Sequence, residues 1–195
     1  MRKGMDHVGV LVFSAAAIYA TLAILIGVIP GTVLSKSPAG RGVVPLDAAQ
    51  ARGRAVYVGE GCSYCHTQFV RPLAQDRVWG RASVAGDYTY STPQLLGTER
   101  TGPDLSNIGV RQPSDVWHSF HLYQPRSLVT GSIMPPYPWL FVVKDKADPG
   151  DVVVNVPAAY APPGKVVVAS RREQDLVAYL ISLKQAPLPS PSPAP

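Results

Sequence analysis

The sequence has little cysteine: among its 195 residues only two are cysteines, Cys62 and Cys65. A structural zinc site requires four ligands, and the second cysteine pair that would complete one is missing. The chain also lacks a run of Lys and Arg, so its net charge of +5 indicates a mildly basic surface and no nucleic-acid-binding patch. No internal repeat is found, and the roughly 140 residues between the two ends are enough for one domain.

Charged residues are missing from the whole stretch between Val8 and Pro30. At 1.5 Å per residue, one helix of this length crosses a hydrocarbon core of roughly 30 Å. The alternative is a secretory signal peptide, but the apolar run is longer than usual for one, and no small-residue cleavage site follows Pro30. We therefore predict a single transmembrane anchor within residues 1–35, followed by a short linker over residues 36–46.

What is present is the stretch Cys62-Ser63-Tyr64-Cys65-His66, in which two thiols three residues apart directly precede a histidine. This is the attachment pattern of a c-type haem, whose vinyl groups form thioethers with the thiols while the imidazole binds the iron. A thioredoxin-like pair would require a βαβ context that the neighbouring residues do not supply, and a disulfide would require no histidine. We predict one covalent haem on Cys62 and Cys65, with His66 as an axial iron ligand.

The candidates for a second axial ligand are Met134, His118, His121 and His7. Met134 is the only methionine beyond the apolar run, and the two prolines after it stiffen the loop that would aim its sulfur. His/Met ligation is typical of six-coordinate electron-transfer haems, so we predict Met134 as the second ligand. His118 and His121 share one helical face. They are either paired metal ligands or, as we favour, hydrogen-bond partners of the backbone or of a haem propionate.

Three helices are predicted beyond the linker, and each begins at a capping side chain: Asp47 for residues 48–58, Ser114 for residues 115–122 and Ser170 for the last helix. Ser170 and Glu173 form a capping-box pattern, in which the glutamate is expected to reach back to the backbone N–H of the serine. Glycines punctuate residues 70–112 and indicate loops.

Two further segments are predicted from composition. The β-branched runs at residues 151–156 and 165–169 predict a hairpin. The alternation of proline with small residues over 186–195 predicts a disordered, Pro-rich tail.

Several blocks of the sequence point to one family. They are Glu60–Gln68, Val70–Pro72, Ser83–Tyr90, Arg100–Leu105, Trp117–Leu122, Pro125-Arg126 and Met134–Leu140. In this order, over about residues 57–140, they closely resemble the monohaem subunit of cbb3-type cytochrome c oxidases, the CcoO or FixO family.

The resemblance implies a mainly α fold with one N-terminal transmembrane helix and a class I cytochrome c-like haem domain over residues 47–185. That domain would have long loops, a small β-hairpin insertion, and first and last helices that cross at the haem edge. It also implies that the carbonyl of Pro103, in the Gly-Pro-x-Leu element, accepts the N–H of His66 and so orients it. Arg100 is a candidate contact for a haem propionate.

For function, the resemblance implies a membrane-anchored cytochrome that passes electrons to the polytopic haem-copper subunit of a cbb3-type terminal oxidase in aerobic respiration. The isolated chain would not be an enzyme, but a subunit of a complex that reduces oxygen to water and translocates protons. A dihaem cytochrome subunit or a soluble cytochrome c is the expected donor. Because haem is attached to such motifs on the outer side of the membrane, the domain is expected on the periplasmic side of a bacterial inner membrane.

Three other functions stay open from the residues. The first is the anchored monohaem subunit of a nitric oxide reductase, which does not share the Arg100–Leu105 and Tyr137–Leu140 blocks. The second is a haem sensor, which would leave the sixth iron position open. The third is an anchored electron shuttle with no fixed partner.

Overall fold

The computed structural model describes residues 2–186 and confirms the predicted fold class, which is mainly helical with one N-terminal apolar helix and a small antiparallel sheet. The predicted Pro-rich tail lies outside the described residues from Pro187 onward. The helices are α1 Arg2–Ala23, α2 Ile29–Ser35, α3 Ala48–Gly59, α4 Ile108–Arg111, α5 Asp115–Tyr123 and α6 Arg171–Ser182. The strands are β1 Phe141–Lys144, β2 Val153–Val154 and β3 Val166–Ala169.

Helices α1 and α2 are joined by one π-helical turn, Ile24–Val28, in which the N–H of Ile29 donates to the carbonyl of Ile24. Pro30 accounts for this turn, because its ring lacks an N–H and clashes with the carbonyl four residues earlier in a regular α-helix. The segment His7–Ser35 contains an 18-residue stretch with a mean hydropathy of 2.4, and this helix is long and apolar enough to cross a membrane. None of this segment is buried within the domain, so its apolar surface remains open to lipid or to a partner.

Helix α3 begins at Asp47, whose carboxylate accepts from the N–H of Gln50, while the Gln50 side chain accepts from the N–H of Asp47. The predicted cap is therefore confirmed. Helix α3 packs against α6, and the contact is closest at Gly53. A Cβ built there would lie 1.8 Å from the carbonyl oxygen of Asp175 and 2.8 Å from the Cβ of Tyr179. Only glycine lets the two helix backbones approach to this distance.

Helix α6 begins at Ser170, whose hydroxyl accepts from the N–H of Glu173 at 3.3 Å, as predicted. The second half of the predicted capping box is wrong. The N–H of Ser170 donates instead to the carbonyl of Leu140 at 3.1 Å. Glu173 turns inward and is only 1% exposed. The turn that precedes β1 supplies the acceptor that the glutamate was expected to supply.

The predicted hairpin is present as the antiparallel pair β2–β3, but it is part of a larger sheet with the order β1-β3-β2. Strand β1 pairs with β3 from Phe141↔Ala169 to Lys144↔Val166. Sequence analysis missed β1 because its four residues directly follow the Tyr-Pro-Trp-Leu block and show no alternation. Phe141, the first residue of β1, and Leu140, directly before it, are buried in the core together with residues of α6.

Helix α5 begins at Ser114, which accepts from the N–H of Trp117 at 3.2 Å, so this predicted cap is confirmed as well. It packs against α6, and Leu122 on α5 joins Leu176 and Leu180 in one buried cluster. Between α3 and α5 the chain forms loops and single 3-10 turns with only the short helix α4, as the glycine pattern predicted.

Candidate haem-binding site

The attachment motif forms one tight turn directly after α3. Gly61 adopts a left-handed conformation with φ of 73°, and residues Cys62–Tyr64 form a 3-10 turn. The carbonyl of Cys62 accepts from the N–H groups of both Cys65 and His66, at 3.3 and 3.0 Å. Neither Cys62 nor Cys65 is in a disulfide; Cys65 is exposed and Cys62 is half-buried. Burial raises the pKa of the Cys62 thiol to about 12, so this sulfur is protonated.

The segment 96–105 runs beside the motif and positions the imidazole of His66. The N–H of Gly102 donates to the carbonyl of Cys65 at 2.9 Å, which places the next residue, Pro103, against the ring. The Nδ1 atom of His66 then lies 2.8 Å from the carbonyl oxygen of Pro103. Since a carbonyl only accepts, Nδ1 carries the proton, and Nε2 keeps the lone pair that a metal requires. Burial lowers the pKa of His66, which favours the neutral form.

The absence of a side chain at Gly102 lets the backbone of the Pro103 loop lie this close to the His66 ring. A Cβ built on Gly102 would lie 2.4 Å from Cε1 of His66 and 2.8 Å from its Nδ1. Real Cβ contacts are longer than this, so any larger residue would push the imidazole or the Pro103 loop away. The glycine of the Gly-Pro pair is therefore required for the ring to sit where it does.

Asp104 is fully buried and connects the segment after His66 to the segment after Pro103. Its carboxylate accepts from the Thr67 hydroxyl at 2.7 Å and from the N–H of Phe69 at 2.8 Å. Its other oxygen accepts from the N–H of Ser106 at 2.8 Å. The residues that follow His66 are thereby tied to those that follow Pro103, which fixes the imidazole relative to its hydrogen-bond acceptor.

Arg100 belongs to the same network. Its guanidinium donates to the Thr67 hydroxyl at 2.9 Å and to the Phe69 carbonyl at 2.8 Å, and it lies 2.6 Å from the carboxylate of Asp76. It is not among the residues that line the cavity described next. The predicted contact of Arg100 with a haem propionate stays a prediction, and the described contacts assign it to fixing the loop around Asp104.

One apolar cavity brings the predicted iron ligands and one of the thiols together. Its sulfur- and nitrogen-bearing lining residues are Cys62, His66, Trp117, His118, His121 and Met134. Leu105, Ile108, Leu122, Leu176 and Leu180 supply much of the apolar wall. The lining residues thus meet at one place although they span more than a hundred positions of sequence. They come from α3, the motif, the Pro103 loop, α5, the 128–134 loop and α6.

The two histidines of α5 have different surroundings. His118 is 2% exposed, and its Nε2 donates to the Gln112 carbonyl at 2.9 Å, which confirms hydrogen bonding to the backbone for this residue. His121 stacks on Trp117 with ring centroids 4.6 Å apart, and its buried Nδ1 has no partner among the described residues. Burial, with His66 and His118 nearby, lowers the pKa of His121 to about 4. Within residues 2–186, no group of three or more His, Cys, Asp and Glu is placed to hold another metal ion.

Comparison with known proteins decides the family. A family model for the mono-haem subunit of cytochrome c oxidase, FixO, matches residues 3–161. The chain belongs to the FixO family. A search of the curated proteins found no match. The FixO match includes the apolar helix, the motif and Met134, and it ends before β3 and α6.

A FixO subunit carries one haem, and the cavity fits that group on the chemistry of its donors. An imidazole with its Nε2 lone pair free, a thioether and a protonated thiol line an apolar space, with the second thiol in the adjoining turn. Sequence reasoning missed Tyr57, which is 0% exposed and lines the same cavity. It lies four residues after Gly53 on the α3 face that meets α6, and the sequence alone carries no signal for that contact.

Proposed function

We propose that this FixO subunit is a membrane-anchored c-type cytochrome that delivers electrons to the haem-copper subunit of a cbb3-type oxidase. The observation that carries the proposal is the convergence of Cys62, His66 and Met134 on one apolar cavity, with Cys65 in the adjoining turn. Cys62 and Cys65 would hold the haem covalently, and His66 and Met134 would bind its iron. The haem supplies a one-electron iron couple whose six-coordinate form changes little between its two states.

The protein's own residues position the imidazole and make the surroundings of the couple apolar. Pro103 fixes the tautomer and orientation of His66, and Asp104 fixes the loop that carries Pro103. The leucines of α5 and α6 form an apolar wall of the cavity, which lowers the local dielectric. Because the imidazole and its loop are fixed in this way, few atoms have to move when an electron enters or leaves, and the reorganisation energy is small.

The apolar helix supports a single-pass anchor that leaves the domain on the periplasmic side of a bacterial inner membrane, where haem attachment takes place. A dihaem subunit or a soluble cytochrome c is the donor, and the haem-copper subunit is the acceptor. The chain by itself catalyses no oxygen chemistry. Its part in oxygen reduction and proton translocation is to supply electrons.

Isolation of the intact membrane complex tests the role. A tag on this chain should retrieve a large subunit that contains copper and haem b. The reduced haem c of the isolated chain should not change its spectrum with carbon monoxide. A chain purified without such a subunit, or a haem c that binds carbon monoxide, would exclude the proposed role and favour a free shuttle or a sensor.

Attachment is tested by exchange of the thiols. The double variant Cys62→Ser with Cys65→Ser should show no haem-stained band after denaturing electrophoresis, while Ser63→Ala, in the same turn, should keep it. A stained band in the double variant would refute covalent attachment through this motif.

Orientation is tested by proteolysis. A protease added to spheroplasts should cut the chain beyond Ser35 and leave the N-terminus protected. A haem domain that resists digestion in intact spheroplasts, but not after lysis, would place it on the cytoplasmic side.

A further inference from the structure

Glu173 is a buried carboxyl group to which the proposed haem chemistry gives no role. It lies in the first turn of α6, faces α5 and is 1% exposed. Its Oε1 has no hydrogen-bond partner among the described residues. Burying a carboxylate without a cation is costly, so burial favours the protonated, uncharged form of an unpaired acid.

The charged groups around Glu173 do not neutralise it. On α5, the nearby Ser119 side chain lowers the pKa of Glu173, Asp115 raises it, and the buried His118 has a lowered pKa that favours its neutral form. The nearby arginines have other partners: Arg171 and Arg52 bind Asp175, and Arg172 binds Glu60. Burial is the largest effect and raises the pKa of Glu173 to about 7, so both protonation states are populated at neutral pH.

Glu173 is close to the haem cavity through both helices that flank it. Leu176, three residues later on α6, lines the cavity, and so does Leu122, three residues after Ser119 on α5. Three residues of helix rise about 4.5 Å, so the carboxyl group lies about one turn from the cavity wall. The side chains of Leu176 and Leu122 lie in the wall between Glu173 and the cavity, and charge is poorly screened across apolar side chains.

We propose that Glu173 is a proton-binding site coupled to the redox state of the haem. This inference rests on the proposed function, because it requires a haem in the cavity. Reduction of the haem by the donor cytochrome would remove one positive charge from the iron and raise the proton affinity of the Glu173 carboxylate, which would take up a fraction of a proton from the solvent near neutral pH. Reoxidation by the acceptor would release it. The site would thereby offset part of the change in charge during electron transfer.

The expected size of the coupling follows from the charge that the iron loses on reduction. At a separation of roughly 10 Å and an effective dielectric of about 20, one unit of charge changes a proton affinity about tenfold. Linkage makes the effect reciprocal, so protonation changes the electron affinity by the same factor. For one electron, tenfold corresponds to 59 mV in the midpoint potential.

Redox titration of the full-length haem-loaded chain in detergent tests the coupling. The midpoint potential should fall as pH rises from about 5.5 to about 8.5, a range that brackets a neutral pKa. The total fall should be about 59 mV, which is a tenfold change in the one-electron transfer equilibrium. Glu173→Gln, which keeps the shape and the uncharged state, should give a potential that is flat with pH and close to the acid value of the wild type. Glu60→Gln is the matched control, because it removes a carboxylate beside the motif that is already paired with Arg172 and Trp139, and it should keep the pH dependence.

A second measurement separates Glu173 from the haem propionates and the histidines. The infrared difference between reduced and oxidised protein should contain a carboxylic acid C=O band that shifts in D2O and disappears in Glu173→Gln. A wild-type potential that does not vary with pH, or a dependence that persists in Glu173→Gln, would overturn the inference. A chain that binds no covalent haem would instead overturn the proposed function.

Discussion

Arg52 on α3 and Asp175 on α6, 123 residues apart in sequence, form a two-pronged ion pair. Nε of Arg52 donates to Oδ2 at 2.7 Å and Nη2 donates to Oδ1 at 2.9 Å. Asp175 is 4% exposed, and the arginine beside it lowers its pKa. The pair lies next to Gly53, so the closest backbone contact between the two helices and the ion pair that holds them are neighbours on α3.

Gly53→Ala should therefore disrupt the crossing of α3 and α6. The added methyl would meet the Asp175 carbonyl, so the helices must separate, and we expect a loss of about 3 kcal/mol in the free energy of unfolding. Denaturant unfolding of the haem-loaded chain measures this loss. Gly59→Ala, in the last turn of the same helix where nothing lies within 4 Å, should be neutral or stabilising by less than about 1 kcal/mol. Equal effects of the two variants would contradict the importance of the close contact.

Gly102→Ala should alter the haem iron without removing the haem. The methyl would occupy the space of the His66 ring edge and weaken the hydrogen bond to Pro103, which makes the imidazole a poorer donor to iron. We expect a covalently attached haem with a changed axial-ligand spectrum and a shifted midpoint potential, measured by spectroelectrochemistry. Gly59→Ala again serves as the control. A spectrum and a potential identical to those of the wild type would show that the approach of Gly102 is not required.

Stability should fall in acid because of Asp76. This 1% exposed carboxylate accepts two hydrogen bonds from the Arg71 side chain and lies 2.6 Å from Arg100, and these arginines hold its pKa well below the usual range. Because the folded pKa is depressed, the stabilisation is complete above the unfolded value of about 4 and is lost as pH falls through lower values. Unfolding measured as a function of pH should show this decline.

Asp76→Asn should flatten the acid dependence and lower stability at neutral pH by about 3 kcal/mol, since it leaves Arg100 partly buried without its carboxylate. Asp148→Asn, which removes an exposed partner of Lys144, should cost less than about 1 kcal/mol and leave the pH profile unchanged. An unaltered acid limb in Asp76→Asn would assign the decline to other carboxylates.

Replacement of Met134 should change the potential and the reactivity of the haem in different ways. Met134→His replaces a thioether by an imidazole, which favours ferric iron, so the midpoint potential should fall. A fall of roughly 150 mV would shift the transfer equilibrium by more than a hundredfold, and oxygen consumption by the complex should drop at normal haem content. Met134→Ala should instead bind carbon monoxide when reduced. If it does not, and if no sulfur-to-iron absorption is lost on oxidation, His121, whose Nδ1 is free in the cavity, becomes the ligand candidate.

Local signals in the sequence predicted the local features of the fold. Asp47, Ser114 and Ser170 begin their helices because a short polar side chain at that point satisfies a backbone N–H whatever the rest of the fold does. The spacing of Cys62, Cys65 and His66 likewise fits into a single turn. Such features depend on neighbours within four residues, and a sequence shows those directly.

The features that sequence analysis missed depend on distant residues. The N–H of Ser170 does not need Glu173 as an acceptor, because the carbonyl of Leu140, which is distant in sequence, lies next to it. Tyr57 faces the cavity because Gly53 lets α6 approach, and the partners of Arg100 come from the separate segments around Thr67 and Asp76. A single sequence does not reveal which distant segments become neighbours, so these assignments required the fold.

The π-helical turn at Ile24–Val28 has a consequence for how the apolar helix presents itself to neighbouring molecules. The turn accommodates one residue more than a regular α-helix would, and one residue corresponds to about 100° of rotation. The side chains of α2 therefore do not continue the stripes begun on α1, and a helix lying alongside would meet one face in the first half and a different face in the second. Deletion of a single residue from this turn would realign the stripes and rotate everything beyond Ile29 by about 100° relative to α1.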